Sequence, residues 1–178
     1  MKIRWNRFKT YLLVTLATVA VCGCQTVGRT KESKLLSTLR LHLETGRNGP
    51  KPNQAVPIYR QKAIMVNVEQ IPFLSEEQVS DAKVIDEVGG FALRIQFDHH
   101  GAVLLEQATT GNRGAKVAIF SQFGEKMKDY RWLAAPVITH RISDGVFVFT
   151  PDATREEAEE IAIGLNNVSK KVHSWVDK

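Results

Sequence analysis

Four groups of residues in this chain have types and spacings that could do chemistry. Cys22 and Cys24, the two cysteines of the sequence, are separated by Gly23. Such a pair could be a redox couple or half of a metal site, but no other cysteine completes a set, and metal sites ordinarily need three or four ligands. Asp98, His99 and His100 put two imidazoles beside a carboxylate, which are metal-ligand types. Consecutive residues at a helix start point in different directions and share one ion poorly, so an exposed first turn capped by Asp98 explains them more simply. His140, next to Arg141 in a strand-like pattern, reads as a cross-strand partner rather than a general base, since no nucleophile motif accompanies it. Arg131 and Trp132, beside a polar loop, are the residue types that anchor protein partners, although Trp132 also suits the rim of a core. No Gly-rich phosphate loop or zinc spacing occurs, so neither a cofactor nor a small-molecule ligand is implied.

The cysteines take their meaning from what precedes them. "MKIRWNRFK" is basic, "TYLLVTLATVAV" is apolar, and small residues follow, which is the plan of a secretory signal. The apolar run is about a dozen residues, short of the roughly 20 that a spanning helix needs. Val21-Cys22-Gly23-Cys24 resembles the end of a bacterial lipoprotein signal, with Gly23 as the small residue before cleavage. The resemblance implies that Cys22 leaves with the signal and that Cys24 becomes a lipidated N-terminus attached to the membrane. The expected organisation is a signal peptide at 1–23, a polar tether at 24–36 and a single domain at 37–178. Gln25 after Cys24 disfavours an aspartate-type inner-membrane retention signal, so a periplasm-facing anchor, with the outer membrane slightly favoured, is the expectation.

Charge supports this division. The chain has 24 Lys and Arg against 19 Asp and Glu, a net charge of +5. Lys2, Arg4, Arg7 and Lys9 belong to the leader, and no acid precedes Glu32. Without the leader the remainder is nearly neutral, with bases and acids interspersed, so no nucleic-acid footprint is left.

Hydrophobic periodicity outlines the elements that position these residues. Leu39, Leu41 and Leu43 alternate with polar residues over 37–44, predicting a half-buried strand with His42 on its polar face. "AVPIY" and "KAIMVNV" read as strands. Ser75 and Gln78 form a capping box that predicts a helix in "SEEQVSDA". "AKVIDEV" and "FALRIQF" read as a hairpin turning at Gly89-Gly90, with Phe91, Leu93, Ile95 and Phe97 on one face. Asp98 caps a helix over "HHGAVLLEQATT", "AKVAIFSQF" is a buried strand, and "GEKMKDYR" is an exposed loop. "APVITHRI" and "GVFVF" are strands joined by Ser143-Asp144-Gly145. A last helix over "TREEAEEIAIGLNNVSKK" opens on a Thr154–Glu157 capping box. It buries Ala158, Ile161, Leu165 and Val168 and leaves its run of glutamates solvated. The fold class is α+β: a mostly antiparallel sheet with two or three helices packed on it.

Over about 84–165 the order of elements and small residues resembles the first periplasmic domain of the SecD subunit in the SecD/SecF protein-export family. The matching positions are Asp98, Gly101, Ala102, Thr109, Gly114, Ala118, Ile119, Ala135, Pro136, Ile138, Gly145, Phe149, Thr154 and Ala158. The resemblance implies a periplasmic domain with ferredoxin-like elements that touches polypeptide. It does not extend to proton-driven export, because no apolar run after Cys24 is long enough to cross a bilayer. The first functional expectation is therefore a lipid-anchored, non-enzymatic protein-interaction domain of the bacterial envelope, linked to export or envelope assembly through a protein partner. The alternative is a hydrolase-type envelope enzyme with a site around Asp98, His100 and His140. A third reading is a structural spacer.

Overall fold

Period-two alternation does set the strands, and a second covering layer decides how deeply they are buried. The computed structural model of the protein describes residues 32, 34–46, 49, 51–59 and 61–176. The signal and both cysteines lie outside the described residues. Strands β1 (Arg40–Leu43), β4 (Leu74–Ser75), β7 (Val117–Phe123) and β8 (Asp129–Ala134) make an antiparallel sheet in the order β4-β1-β7-β8. Strands β5 (Val79–Glu87), β6 (Gly90–Phe97) and β9 (Val146–Phe149) make a second in the order β5-β6-β9. The hairpin of β2 (Asn53–Ile58) and β3 (Ile64–Glu69) is a separate ribbon.

Two helices complete the α+β architecture among the described residues: α1 (His99–Gly111) and α2 (Arg155–Val176). Asp98 caps α1, its Oδ1 accepting the Gly101 N–H at 2.7 Å. Thr154 and Glu157 form the expected box at the start of α2: the Thr154 N–H donates to Glu157 Oε2 at 2.8 Å, and the Glu157 N–H to Thr154 Oγ1 at 3.2 Å. No helix among the described residues is long and apolar enough to cross a membrane.

The main core joins both larger sheets to α2. Leu39, Leu41 and Ile119 from one sheet meet Leu93 and Ile95 from the other and Ile161 and Leu165 from the helix, all fully buried. Each such side chain contributes about 1.5–3 kcal/mol relative to exposure. A second cluster, Val56, Ile58, Val66, Val68, Ala118 and Ala135, fixes the β2–β3 ribbon against the outer face of the β1-β7-β8 sheet, with Trp132 packed on it. Both clusters fall within one compact unit, Leu35–Lys178. That unit opens two residues before the expected boundary at Ser37: Leu35 is buried and its carbonyl accepts from Asn167 Nδ2.

Four expectations are corrected. His42 is buried instead of facing water, because the β2–β3 ribbon covers the second face of β1. "SEEQVSDA" forms its capping box, but the helix is a single 3-10 turn, Glu76–Gln78. The chain then enters β5, whose pairing with β6 outweighs a helix nucleus of one turn. "GEKMKDYR" is only partly a loop: a 3-10 turn at Glu125–Met127 leads into β8, where Tyr130 pairs with Gln122 and Arg131 with Ser121. "APVITHRI" is not a strand. Pro136 has no N–H to give a ladder, so the segment keeps a single bridge, Val137 to Lys116, with the Pro136 carbonyl accepting from Val117. It then crosses α1, where the Ile142 N–H donates to Thr109 Oγ1 at 3.0 Å.

The small-residue motif now has a reason. A Cβ on Gly101 would lie 2.8 Å from the Gln78 Cβ and 2.9 Å from the Phe97 Cβ. Gly101 thus lets the first turn of α1 settle against the end of β6. Gly164 does the same for α2, where a Cβ would meet the Ser37 backbone nitrogen at 2.7 Å.

Candidate functional site

The backbone edges of the sheets are where this fold has hydrogen-bonding capacity to offer, and the two edges of the β5-β6-β9 sheet are treated differently. On β5 the Asn166 side chain from α2 acts as a substitute strand. Its Oδ1 accepts the Ala82 N–H at 2.9 Å and its Nδ2 donates to the Ala82 carbonyl at 2.8 Å. Ser169 donates to the Ser80 carbonyl at 3.2 Å. This edge is closed at Ser80 and Ala82, as a sheet in solution requires of its borders.

The opposite edge, β9, pairs with β6 alone among the described strands. The Ala82 backbone groups turn outward to Asn166, so those of Ile95, opposite Ala82, point to β9, where Phe147 receives them. The alternation leaves the backbone of Val148 on the outer edge. That edge lines a cleft of about 520 Å³, whose other wall is the Pro136–Asp144 segment and whose floor includes Thr109 and Val117. Val137 and Val148 expose apolar surface at its walls. The opposite segment gives its backbone to 114–117 instead: the Pro136 carbonyl accepts from Val117 and the Ile138 N–H donates to the Ala115 carbonyl at 2.8 Å.

Several polar groups around the cleft are already committed. Arg141 pairs with Glu106 of α1. The Thr109 hydroxyl donates to the Leu105 carbonyl at 2.8 Å while accepting from Ile142. Asp144 Oδ1 accepts the Val146 N–H at 3.0 Å, and His140 Nδ1 lies 2.9 Å from Thr139 Oγ1. A ligand in the cleft would meet apolar wall, strand backbone and the side chain of Ser143.

The residues suggested for chemistry are not gathered here. Asp98 and His100 stand at the N-terminal end of α1, whereas the segment carrying His140 passes Thr109 near the other end. Eleven helical residues separate Asp98 from Thr109, about 16 Å of rise. His99, His100 and His140 are exposed, and no group of three His, Cys, Asp or Glu is placed to hold a metal among the described residues. Convergence of Asp98, His100 and His140, which the enzyme reading required, is therefore not found.

Arg131 and Trp132 project to opposite faces of β8. Arg131 makes a two-pronged pair with Glu157 of α2, at 2.7 and 3.2 Å, so that glutamate is not part of a merely solvated face. Trp132 stacks edge-on against Phe120 and His42, with centroids at 5.3 and 5.1 Å. His42 Nδ1 lies 2.8 Å from the Glu69 carbonyl. Burial lowers the His42 pKa and the neighbouring Arg40 charge adds to this, against the opposing pull of the Glu69 hydrogen bond. The open β9 edge is not legible in the sequence because it depends on which strand lies beside which.

Comparison with known proteins agrees with this architecture. Residues 53–169 match the model of the SecDF P1 head subdomain, a wider span than the 84–165 noticed in the sequence. No curated relative matches the chain. Among solved structures the fold is similar to that described as "a membrane component SecDF that enhances protein export", with TM-score 0.54, 20% identity, and coverage of 82% of this chain and 69% of that one. It is also similar to SecDF in a "Super-membrane-facing form", with TM-score 0.54, 22% identity, and 78% of this chain covered. This chain spans only 20% of that second structure. With an antiparallel α+β fold and a family match over most of its length, the chain belongs to the SecDF P1 head subdomain family.

Proposed function

We propose that this protein is a lipid-anchored, periplasm-facing envelope protein whose domain binds extended polypeptide without doing chemistry on it, in the service of protein export or envelope assembly. The observation that carries the reading is the open β9 edge beside a cleft with exposed Val137 and Val148, while Asn166 covers the opposite edge at Ala82. An extended segment can add to such an edge through main-chain hydrogen bonds, which makes recognition tolerant of sequence. The export connection comes from the family, one of whose solved members is described as enhancing protein export.

The anchor rests on the sequence: cleavage after Gly23, lipid on Cys24, and a polar tether leading to Leu35. Several acyl methylenes, each contributing about 0.8 kcal/mol, would hold the protein at the membrane. Cys24→Ser expression tests this part by mass: wild type is expected to carry the mass of the lipid and the variant to lack it, and a variant that matches wild type in mass apart from the substitution itself would refute the anchor. For the cleft, Val148→Pro removes an outward N–H without breaking a β6 ladder bond. Its affinity for an unfolded polypeptide, measured by fluorescence anisotropy, is expected to fall about tenfold for the lost hydrogen bond. Unchanged affinity in a folded variant would exclude the β9 edge as the binding site.

A further inference from the structure

The β2–β3 ribbon carries apolar residues where a half-buried ribbon should carry polar ones. Its inner face, Val56, Ile58, Val66 and Val68, is buried in the second cluster. Its outer face ordinarily meets water and would be polar. Here Pro57 stands opposite Met65 on that face, both exposed, Met65 by 65%. At the turn end of the hairpin Tyr59 and Ile64 are exposed too.

The sequence of this ribbon and its lead-in carries charge of one sign. From Thr45 to Val68 the sequence contains Arg47, Lys51, Arg60 and Lys62 and no acid. Lys51 is committed to Glu69, at 2.8 Å, whereas Lys62 is exposed between the two strands. The β5–β6 hairpin provides a contrast within the same molecule. Its tip also exposes a large apolar residue, Val88, but Asp86 and Glu87 precede it.

An aromatic and two aliphatic side chains flanked by bases are what an anionic bilayer surface takes up: apolar groups enter the headgroup boundary while cations stay at the phosphates. We infer that the β2–β3 tip, through Tyr59, Ile64 and Met65 with Lys62, docks on the surface of an anionic lipid bilayer. This contact is separate from the cleft and does not depend on lipidation of Cys24.

The test uses the chain from Gln25 onward, which has no cysteine and contains the whole compact unit. Met65→Cys, labelled with an environment-sensitive dye, is mixed with vesicles of phosphatidylcholine with or without phosphatidylglycerol. A blue shift is expected only with phosphatidylglycerol. The same dye at Val88→Cys is expected to stay in water. Adding Lys62→Gln is expected to weaken binding about fivefold, the contribution of one cation at the surface. No shift at position 65, an equal shift at 88, or a shift with uncharged vesicles alone would overturn the inference. So would a shift on adding unfolded polypeptide but none with vesicles.

Discussion

His42 shows how one side chain records the layer above it. The alternation Leu39, Leu41, Leu43 announced a strand and placed His42 on its other face, but the ribbon that covers that face is contributed by residues 53–69. Because burial lowers its pKa, folded His42 stays neutral where the unfolded chain would take up a proton. Its contribution to stability is therefore complete above about pH 6.5 and is lost as pH falls through the lowered folded value. Thermal unfolding followed by circular dichroism is expected to show stability dropping between neutral and mildly acidic pH, with a smaller drop in His42→Gln. An equal drop in both would assign the pH dependence to other groups. Glu157 acts twice, as the returning arm of the α2 capping box and as the partner of Arg131. Glu157→Ala is expected to cost about 1–2 kcal/mol in urea unfolding, mostly from the cap, since partly exposed pairs contribute little. The Thr154 box was legible because it is local; the Arg131 partner was not, being 26 positions away.

At the scale of elements, legibility follows the range of the cause. The β5–β6 hairpin and both helices come from neighbouring residues and were found near their places, whereas "SEEQVSDA" and "APVITHRI" were decided by strand pairing and by Pro136. Helix α2 is held close to the lead-in of β1 at Gly164. Gly164→Ala would gain helix propensity of about 1 kcal/mol, but the new methyl would sit 2.7 Å from the Ser37 nitrogen and 2.8 Å from the Leu36 carbonyl carbon. The overpacking, about 1–3 kcal/mol, is expected to win, lowering the urea midpoint. Asn166→Ala is expected to reopen the β5 edge, detected by light scattering as self-association that rises with protein concentration. A variant that remains monomeric would mean that the edge is guarded by other means.

For the whole molecule, one compact unit of the SecDF P1 head family presents a closed sheet edge on one side and an open edge with a cleft on the other. The motif Asp98-x-x-Gly101-Ala102 that carried the family resemblance proves architectural: a cap, a close approach and a helix start. That explains why family and fold could be read from small residues while the site could not. A binding edge made of backbone leaves no side-chain signature. The central claim is that this edge meets polypeptide, and the most direct measurement is photocrosslinking in intact cells. A photoreactive residue replaces Val137 at the rim of the cleft or, as the control, Val103 on the exposed side of α1. Adducts with exported polypeptides are expected from position 137 and not from 103. No adduct at 137, or the same adducts from both positions, would contradict the account.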